Sequence, residues 1–179
     1  VTVKTRIGVD HHDSYAHLQQ FIETVAASGC DTFIIHARKA WLDGLSPKQN
    51  REIPPLQYPV VHRLVADYPT LSFSLNGGVM NLQEAQTQLE HVDGVMIGRA
   101  AYHQPYILAE ADRTIFSAAA TRTPTRAEVV QSYTRYATEQ LTNGVRLTQL
   151  TRPLLGLYHG TSGAKHWRRH ISQNAHLKG

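Results

Sequence analysis

Residues 71–99 read LSFSLNGGVMNLQEAQTQLEHVDGVMIGR, and the order of residue types in this stretch decides the fold. Leu71 to Gly77 is too short for a helix and alternates bulky apolar with small polar residues, which is a strand pattern. Asn76-Gly77-Gly78 follows as a turn. Asn81 then opens a helix over Leu82 to Glu90, with Glu84 in capping-box spacing. Asp93 to Gly98 (DGVMIG) is a second short apolar run. Strand, turn, helix and strand in so few residues make a βαβ unit, and such units build parallel sheets.

The same rhythm extends upstream. Val1 to Val9 and Asp31 to Ala37 (DTFIIHA) are further strands, separated by helical patterns at Tyr15 to Ser28, closed by Gly29, and Val60 to Tyr68. Four strands in βα alternation are half of a TIM (β/α)8 barrel, which needs about 250 residues when complete. The chain opens inside a strand pattern at Val1, with no cap, turn or polar lead-in, so an N-terminal half carrying four more strands is expected to be removed or encoded elsewhere. A small open α/β domain is the alternative. An open parallel sheet would need the missing barrel half, or self-association, to cover it.

After Tyr106 the pattern becomes a linker rich in Thr and Ala that ends at Pro124, and then helices only. Thr125 and Glu128 form a capping box, and the helix they start runs to about Leu141 and breaks near Asn143-Gly144. A second helix is expected over roughly Val145 to Tyr158 and a third after Gly163. The predicted organisation is therefore the second half of a barrel (strands 5 to 8) at 1–112, a linker at 113–124 and a basic helical domain at 125–179.

Charge separates the two parts. Residues 1–112 hold eight Lys/Arg against twelve Asp/Glu, net −4, whereas residues 113–179 hold ten against two, net +8. Such asymmetry points one part at a polyanion, nucleic acid or an acidic protein, with a solvated basic helix face as the plainer reading. The single cysteine, Cys30, excludes an internal disulfide and a Cys-cluster zinc site and suits a reducing compartment. No stretch has the roughly 20 apolar residues that cross a bilayer, and Val1 to Val9 lacks a signal-peptide layout. The expected location is the cytoplasm, away from membranes. His166 and His170 stand at i, i+4 but lack a third ligand nearby, so no metal site is expected.

Chemistry gathers at the strand ends. Asn76-Gly77-Gly78 after the third strand and Gly98-Arg99 after the fourth fall where barrels build a phosphate site, from the loops after strands 7 and 8 and a helix N-terminus. Glycines allow backbone N–H groups to approach an anion, and Arg99 adds charge. A tight turn beside an exposed arginine is the structural reading of the same residues. Lys4 shares a face of the first strand with Thr2. An inward lysine there implies a ligand or a carboxylate, and a flavin would suit it, while a lysine on a frayed edge strand is the other reading. His36 closes the second strand at the same rim, as a cofactor ligand or as a hydrogen-bonded structural histidine. The segment from Ala37 to about Pro59 is long for a loop and interleaves Arg38, Lys39, Lys48 and Arg51 with Trp41. That composition suits phosphates and unpaired bases.

With HARKAWLDGLSPKQNREIPPL at 36–56, LNGGV at 75–79 and VDGVMIGRAAYHQPY at 92–106, the chain resembles the tRNA-dihydrouridine synthases, closely their A-type members that act on D-loop uridines. The resemblance spans nearly the whole chain and corresponds to the C-terminal half of that family. It implies that Lys4, His36, Asn76, Gly77, Gly78, Gly98 and Arg99 match FMN-binding positions, and that Lys48, Arg51, Lys165 and Arg168 match tRNA-contacting ones. It further implies that NADPH reduces FMN, that hydride passes to C6 of a uracil taken out of its stack, and that a cysteine protonates C5. That cysteine belongs to the N-terminal half of the family. Cys30 enters a strand from the end away from the catalytic rim and is expected to be a buried hydrophobe, so this chain carries no catalytic residue and is expected to be inactive alone. A non-catalytic RNA-binding fragment, with Lys165, Arg168 and Arg169 on one helix face, stands as the alternative, and another FMN barrel of the dihydroorotate-oxidising sort as a weaker one.

Overall fold

A computed structural model describes residues 1–117 and 122–177. The chain divides into two compact units, Val1–Gly98 and Arg99–Gly179.

The first unit is an α/β layer. Its strands are β1 (Thr2–Arg6), β2 (Thr32–His36), β3 (Ser72–Asn76) and β4 (Gly94–Met96), and its helices are α1 (Tyr15–Ala27), α2 (Tyr58–Asp67) and α3 (Leu82–Leu89). All strand pairs are parallel, and the order in the sheet is the order in the chain, β1-β2-β3-β4. This is part of a TIM barrel in kind, as the βαβ rhythm predicts.

Strand alternation gives the sheet two unlike faces. Phe33 and Ile35 of β2 and Phe73 and Leu75 of β3 are wholly buried, as are Ile22 of α1 and Val61 and Leu64 of α2. Phe33 and Phe73 stack at 5.7 Å between ring centroids. Burial of side chains of this size contributes about 1.5–3 kcal/mol each, so this face is the core. The opposite face carries Lys4 and Arg6 of β1, Ile34 and His36 of β2, Ser74 and Asn76 of β3 and Met96 of β4, in register across the sheet. Apart from the buried His36 and the exposed Lys4, these residues are half-buried.

Capping fixes the helix starts. Ser14 accepts the His17 amide at the head of α1, and Asn81 accepts the Glu84 amide at 2.8 Å at the head of α3. The Glu84 carboxylate reaches back to the Met80 amide, one residue earlier than in a standard capping box. Helix α2 starts at Tyr58, two residues before the sequence pattern suggests, because Pro59 supplies a preset φ in the first turn.

The second unit is helical: α4 (Arg99–His103), a 3-10 stretch Pro105–Glu110, α5 (Ala111–Thr114), α6 (Arg126–Thr142), α7 (Leu147–Thr151), a 3-10 turn Arg152–Leu154, and α8 (Ala164–Asn174). Thr125 and Glu128 form the full capping box. The single helix expected over Val145 to Tyr158 is interrupted, because Pro153 has no N–H to donate and forces a 3-10 turn. Residues expected as linker after Tyr106 hold helical turns up to Thr114, while residues 118–121 of that linker, and Lys178 and Gly179 of the expected helical domain, lie outside the described residues. Gly156 is required by close approach, since a Cβ there would overlap the His103 carbonyl. The Arg126 guanidinium lies 3.8 Å above the Tyr106 ring and donates to the Leu157 carbonyl, and Trp167 Nε1 donates to Leu154 at 2.7 Å.

Candidate cofactor and RNA site

Parallel register brings the ends of β1, β2, β3 and β4 to one edge of the sheet. There Arg6, His36, Asn76 and Met96 stand side by side, with Lys4 one pleat below Arg6. Asn76 Nδ2 donates to the Met96 carbonyl at 2.9 Å and ties the ends of β3 and β4. Beyond it the chain turns through Gly77 and Gly78 at φ of 111° and 78°, a region that only glycine enters freely. Tyr58 fixes the turn by donating its hydroxyl to the Gly77 carbonyl at 2.7 Å. Tyr58 and Leu56 leave no room for a Cβ on Gly78. Burial, and then the negative charge of Glu84, push the Tyr58 hydroxyl above the usual phenol range, so it remains a donor.

Cations dominate this edge. Partial withdrawal from water, and then the Arg6 guanidinium, hold the Lys4 ammonium below the usual lysine range. Arg6 is held down by burial first and then by Arg38 and Arg51. Three guanidiniums and an ammonium near one strand end raise each other's energy, and an anion placed among them would offset that. Beyond Met96, Gly98 has no atom within 4 Å of where its Cβ would be, so space is open at the end of β4. Cations at the end of β1 and open backbone after β4, at the same rim of the sheet, fit an anionic cofactor such as a flavin carrying a phosphate.

The predicted cofactor residues of the first unit, Lys4, His36, Asn76, Gly77, Gly78 and Gly98, therefore fall on one face and edge. Arg99, peptide-linked to Gly98, begins α4 in the second unit and is exposed. Lys48 precedes, and Arg51 ends, the 3-10 turn Gln49–Arg51 inside the long loop. Lys165 and Arg168 are exposed on α8. Cys30 is buried at the start of β2, with its thiol toward the Val1 and Thr32 carbonyls, at the opposite strand end from His36. Among the described residues no group of three or more His, Cys, Asp or Glu could hold a metal, and no helix is long and apolar enough to cross a membrane.

Two residues escaped the sequence reading. Arg6 is one alternation beyond Lys4, and period two alone would have put it on the same face. Tyr58 reads as the end of the long loop, and nothing in its spacing announces the turn it fixes.

A family profile described as dihydrouridine synthase matches residues 1–179. The chain belongs to the dihydrouridine synthase family. This family member is 52% identical over its whole length to the tRNA-dihydrouridine(20/20a) synthase of Shewanella oneidensis, covering 53% of that protein. It is 54% identical to the one from Vibrio cholerae and 54% identical to the one from Escherichia coli K12, covering 55% and 52% of them. The chain thus spans about half the length of the curated relatives it matches.

Proposed function

We propose that this chain is the C-terminal half of a flavin-dependent tRNA-dihydrouridine synthase, one that reduces a D-loop uridine in tRNA with NADPH through FMN. The observation that supports this most is the gathering of Lys4, His36 and the Asn76-Gly77-Gly78 turn on one edge of the sheet, in a chain of the dihydrouridine synthase family. In the complete enzyme FMN, when bound, supplies the hydride. The chain's own part is to bind and orient. Lys4 holds its ammonium toward the flavin ring, where a positive charge favours hydride chemistry. His36, the backbone of Gly77, Gly78 and Gly98, and Arg99 hold the phosphate. Lys48 and Arg51 take the tRNA backbone beside the site, and Lys165 and Arg168 take it from the helical domain.

In this reading residues 1–112 are strands 5 to 8 of the barrel, 113–124 a linker and 125–179 the tRNA-binding domain, and the protein works in the cytoplasm. Cys30, buried at the far strand end, is no proton donor, and the proton for C5 comes from a cysteine outside this chain. A second reading, a non-catalytic RNA-binding unit, draws on the exposed Lys165, Arg168 and Arg169 of α8.

FMN titration of the purified chain, followed in the visible spectrum, tests the proposal. Flavin uptake with no dihydrouridine formed on tRNA from NADPH is expected. A chain that takes up no FMN would sink the cofactor assignment, and dihydrouridine formed by this chain alone would overturn the reading of Cys30.

A further inference from the structure

We infer that Arg6 is a positioning residue that holds the tRNA-facing loop in shape from the cofactor face of the sheet. The inference rests on the reading of residues 37–59 as a tRNA contact and adds the device that orders them. Arg6 sits half-buried at the end of β1, level with His36 and Asn76. Its Nη1 donates to the Lys39 carbonyl at 2.7 Å and to the Asn50 carbonyl at 2.9 Å. Those two carbonyls bracket the part of the loop that carries Trp41 and Lys48.

Asn50 completes the latch. Its Oδ1 accepts the Trp41 amide at 2.8 Å and its Nδ2 donates to the Trp41 carbonyl at 2.6 Å. Arg6, Asn50 and Trp41 therefore close the loop on itself. The outer limb is anchored separately, by Ala40 to Gly8, Asp10 to Ala40, and Leu42 to the Asp10 carboxylate. Removal of Arg6 would thus loosen the inner limb and leave the outer one tied.

The choice of arginine is informative. A lysine ends one bond short of the Nη1 position and carries its charge as a point, so it cannot take the same two carbonyls in the same geometry. Arg6 also keeps its charge beside Arg38 and Arg51, which raise its energy. A neutral donor would latch the loop without that repulsion. A guanidinium in this place has the added effect of drawing the anionic backbone of a nucleic acid toward the loop it shapes.

The test uses the full chain as Arg6→Lys, Arg6→Gln and Asn50→Ala, with amide hydrogen exchange, affinity for unmodified tRNA, and thermal melting as the control for folding. Both Arg6 variants are expected to speed exchange at the Trp41 and Arg51 amides about tenfold. They should weaken tRNA binding by roughly five- to tenfold at nearly unchanged melting temperature. Asn50→Ala should do the same without touching Arg6, and combining it with Arg6→Lys should add little, since both open one latch. Should an Arg6 variant fail to fold, Asn50→Ala carries the test alone. Full tRNA binding by Arg6→Lys would mean that Arg6 meets phosphate directly and would overturn the inference. Unchanged exchange in the loop would overturn it too. A wild-type chain that does not bind tRNA would instead sink the reading of the loop as an RNA contact, and exchange would still decide whether Arg6 holds it.

Discussion

The His36 imidazole fills the space that a side chain at Gly77 would need: a Cβ there would lie 2.6 Å from Cδ2 and 2.9 Å from Nε2 of His36. Gly77 also has φ of 111°, so an alanine would meet both strain and a clash. Gly77→Ala is expected to destabilise the first unit by about 1–3 kcal/mol, read by chemical denaturation. Gly98 makes the contrast. Its surroundings are open and its φ is ordinary, so Gly98→Ala should change stability by less than about 0.5 kcal/mol. Any loss of FMN affinity in Gly98→Ala then reports backbone approach to the cofactor. Equal stability of the two variants would refute the steric account of Gly77.

Lys165 and Arg168 are exposed one turn apart on α8. If each meets a phosphate, the double variant Lys165→Ala, Arg168→Ala weakens tRNA binding at all sequences alike. The slope of log affinity against log salt should flatten by about one unit per lost contact. Filter binding or fluorescence anisotropy across a salt series reads this directly. An unchanged slope would remove both residues from the interface.

Glu128 titrates in the first turn of α6. Its carboxylate takes two bonds from Arg122, at 2.6 and 3.0 Å, and bonds from the Thr125 amide and hydroxyl. Arg122 first, and then Thr125, hold it down to about 2 from an ordinary 4.5. A depressed carboxyl stabilises the folded state above its unfolded value and loses that contribution as pH falls through its folded one. The helical unit should therefore melt more readily as pH falls from about 4.5 to about 2. Glu128→Gln should lower the melting temperature at neutral pH and remove that part of the acid dependence. Circular dichroism melts at several pH values decide it, and a variant with the wild-type acid profile would show that Glu128 contributes nothing to it.

The sheet was legible because its signals are short-range. Ser72 to Asn76 alternates bulky and small residues, Thr32 to Ile35 is a short apolar and β-branched run, and the buried apolar set, Phe33, Ile35, Phe73 and Leu75, follows period two. The Asn76-Gly77-Gly78 turn announced itself through its glycines. Features decided by distant residues did not. The turns after Pro105 are held by Tyr106 donating to Pro124 and by Arg126 over the Tyr106 ring, partners no local window contains. The break at Arg152 to Leu154 was written in Pro153, whose missing donor outweighs the helical periodicity around it. Arg6 stayed hidden because its two acceptors lie 33 and 44 positions away.

Strand order in the sheet follows strand order in the chain, and this bears on how the molecule comes into being. Each new strand finds its partner in the one just made, across a connection of one helix, so no segment has to be threaded between strands already joined. Loop-closure entropy is met in small steps. During synthesis the sheet can grow from β1 toward β4 at the pace of the ribosome, with a single advancing edge in place of a late, all-at-once assembly.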